Sequence, residues 1–262
     1  MLTNTKNLKG LTIHAIDGDM GEVNELFFDD ETWAIRYLTV DTGGWLNGRT
    51  VLISPLSVVS VDWEARRIDV SLTKMQVENS PDVDTHRPVS RQHEAEYLGY
   101  YGYPYYWDGP ALAPPSELAL GSGLTGEAHA ENVRRPSMDS HLRSTAVVAG
   151  YYLEATDGEI GHVEQFIVDD ESWAIRYLEV DTTNWLPGKK VLLSPSWVKC
   201  VSWERSKVYV ALTQEAIKSA PEYDESLQMT REYEDRLHRH YGRPPYWLNQ
   251  AEEHPLMSLG GL

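Results

Sequence analysis

Apolar and polar residues alternate along this chain in short runs, broken by glycine, proline and acidic turns at intervals of roughly 8–12 residues. Leu11 to Ala15 reads as a strand that ends in "DGDMG", where glycine supplies a tight bend or a positive φ. Glu22 to Phe28 is the next strand, Asp29-Asp30-Glu31 turns the chain, and Trp33 to Asp41 returns it. After the loop "TGGWLNG", three shorter strands follow at Arg49 to Ile53, Ser57 to Asp62 and Arg67 to Leu72. Thr73 then caps one or two helical turns that stop before Pro81, and Ser90 caps a helix closed by Gly102.

The strand from Trp33 is apolar on both sides, with Trp33, Ile35 and Tyr37 on one face and Ala34, Leu38 and Val40 on the other. Such a strand must be covered twice, once by a barrel interior and once by a helix, loop or neighbouring domain. The odd-numbered face turns polar at Thr39 and Asp41, which predicts that the outer cover ends partway. Arg36 interrupts the even face, either as an ion-pair partner of a rim carboxylate or as an anchor for an acidic ligand.

Nearly all of this is written twice. "DDETWAIRYLTVDT" at 29–42 returns as "DDESWAIRYLEVDT" at 169–182, and a shift of 140 maps the first half onto the second without a gap. Trp45 maps to Trp185, Arg36 to Arg176, and Tyr106-Trp107 to Tyr246-Trp247. The helix capped by Ser90 has its counterpart in "TREYEDRLHRHYG", which begins at Thr230. The repeat is too long for a solenoid unit and suits a small domain with an appendage. We therefore expect one β domain at 1–85, a helical and aromatic extension with a Pro/Gly/Ser-rich linker at 86–147, a second β domain at 148–225, and a C-terminal helical and aromatic extension at 226–262.

Composition narrows the function. Acidic residues outnumber basic ones 40 to 23, a net charge of −17, and no basic cluster offsets it, so nucleic acid is disfavoured as a partner. The single Cys200 excludes an intrachain disulfide and a multi-cysteine metal site and fits a reducing compartment. Neither a signal peptide nor an apolar run of spanning length is present, so the expected location is cytoplasmic, with peripheral membrane association left open.

The turns and strands from "DGDMGEVNELFFDDETWAIRYLTVDTG" through "GRTVLISP" to the "LT" and "SP" that follow are similar to the PRC-barrel family, over about 8–85 and again over 148–225. That family takes its name from the cytoplasmic domain of the photosynthetic reaction centre H subunit and includes the C-terminal domain of a ribosome maturation factor. The resemblance implies a mainly β protein: two tandem small PRC-type β-barrels, each followed by short helical and aromatic extensions. It implies docking in place of catalysis, and no cofactor. An alternative it raises is an accessory role like that of the H subunit, supporting electron transfer by a membrane partner. This chain lacks that subunit's N-terminal membrane helix and the RNA-related domain of the ribosome factor.

Searching for chemistry yields little. "DGDMG" begins like a calcium loop, but its glycine falls one position early and the twelfth position is Phe28 in place of Glu. "GSGLTG" at 121–126 spells the dinucleotide fingerprint inside a linker, with no strand before it and no helix after it. His238 and His240 lack the spacing of a helical zinc pair, and their counterparts are Leu98 and Tyr100. No serine elbow occurs, and Cys200 lies in a strand where burial would leave it inert. We find no catalytic or metal-ligating set and read the chain as non-enzymatic. The aromatic stretch from Tyr97 to Trp107 remains. It either covers the outer barrel face or forms a docking surface, since Tyr and Trp carry much interface energy. The candidate interaction residues are Trp45, Trp185, Tyr103, Tyr105, Trp107, Tyr246 and Trp247, for a protein partner that the sequence leaves unknown. The two halves are expected to pack as an internal pseudo-dimer, with further oligomerisation open.

Overall fold

A computed structural model describes residues 1–46, 48–81, 91–106, 141–182, 189–227 and 229–248. The protein is mainly β, with two seven-stranded sheets and a few short helices. Its chain divides into two compact units, one of Met1–Gly150 with Gln165–Leu178 and one of Tyr151–Glu164 with Glu179–Leu262.

In the first unit, β1 (Leu2–Asn4) leads into a single helical turn, α1 (Thr5–Leu8), capped by the Asn4 side chain. Then come β2 (Thr12–Ala15), β3 (Gly18–Asp29), β4 (Ala34–Asp41), β5 (Thr50–Ile53), β6 (Val58–Asp62) and β7 (Arg67–Val70). They are hydrogen-bonded in the order β5-β4-β3-β2-β7-β6, all antiparallel except the parallel pair β2–β7. β5 and β6 are the two ends of this order, joined by a short 3₁₀ turn at Pro55–Ser57 whose first N–H is capped by Ser54. The "DGDMG" segment expected as a turn is mostly strand. The chain turns at Ile16-Asp17, and Gly21 sits in β3 with φ +145, where a Cβ would come within 2.0 Å of the Asp41 carbonyl oxygen. Glycine here permits a close crossing of two strands.

Burial on β4 also goes further than its pattern suggests. Thr39 is 1% exposed and Arg36 3% exposed, so the cover reaches Thr39 and ends only at Asp41. Over Tyr37 and Arg36 it is supplied by Tyr97 of the following helix and by Tyr106. α2 (Lys74–Glu78) has a full capping box between Thr73 and Gln76, and α3 (Arg91–Tyr101) is closed by Gly102 in the left-handed region at φ +69. Ser90, expected to cap α3, lies outside the described residues.

The first unit also holds a feature that periodicity does not foretell. β1 pairs antiparallel with the end of the long strand of the second repeat, β10 (Gly158–Asp169), placing Leu2 opposite Asp169 and Asn4 opposite Ile167. β8 (Leu142–Ser144) does the same on β3, with Leu142 opposite Asp29 and Ser144 opposite Phe27. The two registers are identical under the shift of 140. Both β1 and β8 are three residues long, too short for alternation to mark them as strands.

The second unit holds β structure of the same kind: β9 (Tyr152–Ala155) pairs antiparallel with β10 and parallel with β14 (Lys207–Val210), and β13 (Val198–Ser202) pairs with β14. The second sheet runs β12-β11-β10-β9-β14-β13, with β11 at Ile175–Asp181 and β12 at Lys190–Leu193. A helix at Gln214–Lys218 corresponds to α2, and one at Arg231–Tyr241 corresponds to α3. The latter is capped by Thr230 and ends at Gly242 with φ +60. Among the described residues no helix is long and apolar enough to cross a membrane.

Candidate interaction surface

The repeated fourteen-residue sentence builds a specific turn. Asp29 Oδ1 accepts from the Thr32 N–H at 2.9 Å, the Thr32 hydroxyl at 2.9 Å and the Glu31 N–H at 3.1 Å. The turn closes with Trp33 N–H donating to the Asp29 carbonyl at 2.8 Å, which holds Trp33 at φ +57. Asp169 repeats the pattern with Ser172, and Trp173 sits at φ +59. Non-glycine residues hold this region only when their surroundings fix them.

These two turns meet within the first unit. Ala34 bridges Ala174, Ile35 N–H donates to the Trp173 carbonyl, and Ile175 N–H donates to the Trp33 carbonyl, both at 2.8 Å. Phe28 stacks on Trp33 with centroids 5.3 Å apart and contacts Phe166 at 5.6 Å.

Each arginine is fixed beside its turn. Arg176 donates to Asp169 at 3.2 Å and to the Ser172 hydroxyl at 3.1 Å. Burial works against the Asp169 charge, but the Ser172 hydrogen bond and the nearby Arg176 outweigh it and lower its pKa from 3.8. Arg36 donates to the Thr32 hydroxyl at 3.3 Å and lays its guanidinium over the Tyr106 ring, 3.9 Å from the centroid. Burial lowers its pKa, opposed by Tyr106 and the Asp29 charge.

The aromatic stretch of the first repeat lies against β4 and β5. Tyr97, 1% exposed, donates to the Leu52 carbonyl at 3.1 Å, accepts from the Ser54 N–H at 3.0 Å and meets Tyr37 edge to face at 5.2 Å. Tyr37, Tyr97, Leu98 and Tyr106 belong to one buried cluster with Phe27, Leu52 and Leu142, and Tyr101, Tyr103 and Tyr105 pack against it while half-buried. At its centre is a group that sequence reasoning passed over. Glu94, 1% exposed, accepts from the Tyr106 hydroxyl at 2.6 Å and the Tyr37 hydroxyl at 3.3 Å. Its counterpart Glu234 accepts from Tyr246 at 3.0 Å and pairs with Arg231 at 3.1 Å. The gapless register carried the signal, because Glu and Tyr twelve residues apart recur in both repeats.

Trp45 is half-buried with the Lys74 ammonium 4.9 Å from its ring centroid. Trp247 is also half-buried, beneath the Arg231 guanidinium at 4.0 Å and beside His238 at 5.4 Å. Trp107 and Trp185 lie outside the described residues. Cys200 is exposed on β13, a correction to the burial expected of it.

The class defined by these features is a β domain, antiparallel apart from one parallel pair, with a tyrosine-rich helical cover. Residues 4–77 match the PRC-barrel domain family, and this segment is a PRC-barrel domain. A stretch of 78 residues is 37% identical to an uncharacterized protein of Deinococcus radiodurans, covering 29% of this chain and 28% of that relative.

Proposed function

We propose that the chain is a non-enzymatic interaction or scaffold protein in which two PRC-type barrels are joined as an internal pseudo-dimer. The observation that carries this reading is the reciprocal pairing of the repeats' first strands, Leu2 opposite Asp169 and Leu142 opposite Asp29. Exchange of an element between two copies is a low-cost route to a dimer, and duplication makes it intramolecular. The second barrel rests on the repeat and on the matching strand order, since the family match spans residues 4–77. The domain divisions expected from the sequence are proposed with it. PRC-barrel domains are a non-catalytic fold, and the buried Glu94 and Glu234 of the helical cover are occupied by tyrosines.

For the contact surface, the reading takes the half-buried rings Trp45, Tyr103, Tyr105, Tyr246 and Trp247, together with Trp107 and Trp185. Half-buried Tyr and Trp on a helical cover leave rings accessible for a protein partner at little entropic cost. A protease site inserted at Gly121–Gly126 tests the pseudo-dimer. After cleavage the two fragments should co-elute on size exclusion at micromolar concentration; fragments that separate would overturn it. Partner capture by the wild-type chain, set against Trp45→Ala and Trp247→Ala, tests the surface, and capture unchanged by both substitutions would remove it.

A further inference from the structure

Within the first unit, β6 is the last strand of its sheet, and beside it opens a cleft of about 610 Å³. This is within the range of binding clefts, roughly 300–1,000 Å³. Leu56, Val59, Val61, Trp63 and Trp173 supply its apolar wall, and Asp170 and Glu171 supply its ionised side chains. Val59 is 69% exposed, a large apolar side chain presented to water on the wall of a concavity.

The carboxylates differ in what they have left to offer. Asp170 is engaged on both oxygens, by the Met1 amino group and by the Trp63 indole N–H at 3.0 Å. That second bond pins the indole against the cleft. Glu171 is 89% exposed in its side chain, with the Met1 amino group 3.8 Å away. The cleft thus combines an apolar wall with an anionic mouth, in a chain of net charge −17.

We propose that this cleft binds an extended, basic peptide in which apolar residues alternate with lysine or arginine. An edge strand offers unpaired main-chain groups to such a peptide. The register shift between Val58 and Ser60 pushes Val59 out of the ladder and confines main-chain pairing to the few residues beyond it. Side chains therefore carry most of the recognition: apolar ones against Val59, Val61 and the half-buried Trp63 indole, cationic ones against Glu171. The period-two alternation follows from strand geometry. This inference deepens the interaction-module reading and rests on it.

The test uses the full chain and a fluorescein-labelled peptide of four Lys-Val pairs, with a Glu-Val peptide of equal length as control. Fluorescence anisotropy should show the basic peptide binding and the acidic one at least about tenfold weaker, with the difference shrinking as salt rises. Val59→Ser and Glu171→Lys both change exposed side chains, so the fold should be retained, and each should weaken the basic peptide by about three- to tenfold. Hydrogen exchange should show peptide-dependent protection at Val58–Asp62. Equal binding of the two peptides, no binding of the basic one, or unchanged affinity in both variants overturns the proposal. Protection at Trp45 and Tyr103–Tyr105 in place of β6 also overturns it while leaving the interaction-module reading standing. Protection of β6 that grows with protein concentration alone would assign the cleft to a second copy and overturn it too.

Discussion

Tyr106 donates its hydroxyl proton to Glu94 at 2.6 Å, and both residues are almost fully buried. A carboxylate in such a place depends on its donors, because an unsatisfied buried acceptor costs about 1–3 kcal/mol. Tyr106→Phe removes one donor and keeps the ring under Arg36. We expect a loss of about 1–3 kcal/mol by chemical denaturation. Glu94→Ala should cost more than Glu94→Gln, which keeps an acceptor oxygen for the two tyrosines.

Gly21 and Gly18 separate backbone strain from steric exclusion. Both have positive φ, +145 and +125, but a Cβ on Gly21 meets the Asp41 carbonyl at 2.0 Å while one on Gly18 meets nothing within 4 Å. Gly18→Ala should cost about 1 kcal/mol, from conformation alone, and Gly21→Ala about 3 kcal/mol or more. Equal denaturation midpoints for the two variants would contradict the close crossing of β3 and β4.

His238 gives the C-terminal helix a pH dependence. Burial between Trp197, at 5.3 Å, and Trp247, at 5.4 Å, lowers its pKa from 6.5, against backbone hydrogen bonds and the Asp235 charge that favour protonation. The unfolded chain binds the proton more readily, so the stabilisation is complete above pH 6.5 and is lost as pH falls toward the folded value. His238→Leu, which copies Leu98 of the first repeat, should flatten stability across that window, as followed by tryptophan fluorescence during urea unfolding.

The exchanged strand β1 can be probed alone. Thr3→Pro removes a donor opposite Val168 and strains an extended segment, at a cost of about 2 kcal/mol. Its mark should be faster hydrogen exchange at Ile167–Asp169, with β5–β4 protection unchanged. Slowed or unaltered exchange at those amides would refute the pairing.

How far the sequence could be read follows from which interactions are local. Strands β2 to β7 and helix α2 lie close to where alternation, glycines and the Thr73 cap put them, because each of those signals acts within a few residues. Trp33 was read as the first residue of a strand and is instead the last of a turn, since its left-handed backbone is imposed by Asp29 and by the partner turn at Trp173. The polar Thr39 suggested an open end to the cover, yet a side chain that donates to the Glu25 carbonyl at 3.3 Å can be buried without loss. The bond from Tyr37 to Glu94 spans 57 positions and the exchanged strands are three residues long, so neither shows in a local window, although the recurring Glu94–Tyr106 spacing did. The cleft beside β6 gathers Val59, Trp63 and Trp173, which no local window places together.

At the Ala34–Ala174 bridge two equivalent positions of the duplication are each other's neighbours. A side chain enlarged on one must be accommodated by the other at the spacing of paired strands, about 4.5–5.5 Å between Cα atoms. Divergence between the halves is therefore coupled at this point: whatever freedom a second copy of a gene normally confers, a change at one of these two alanines is felt by the other.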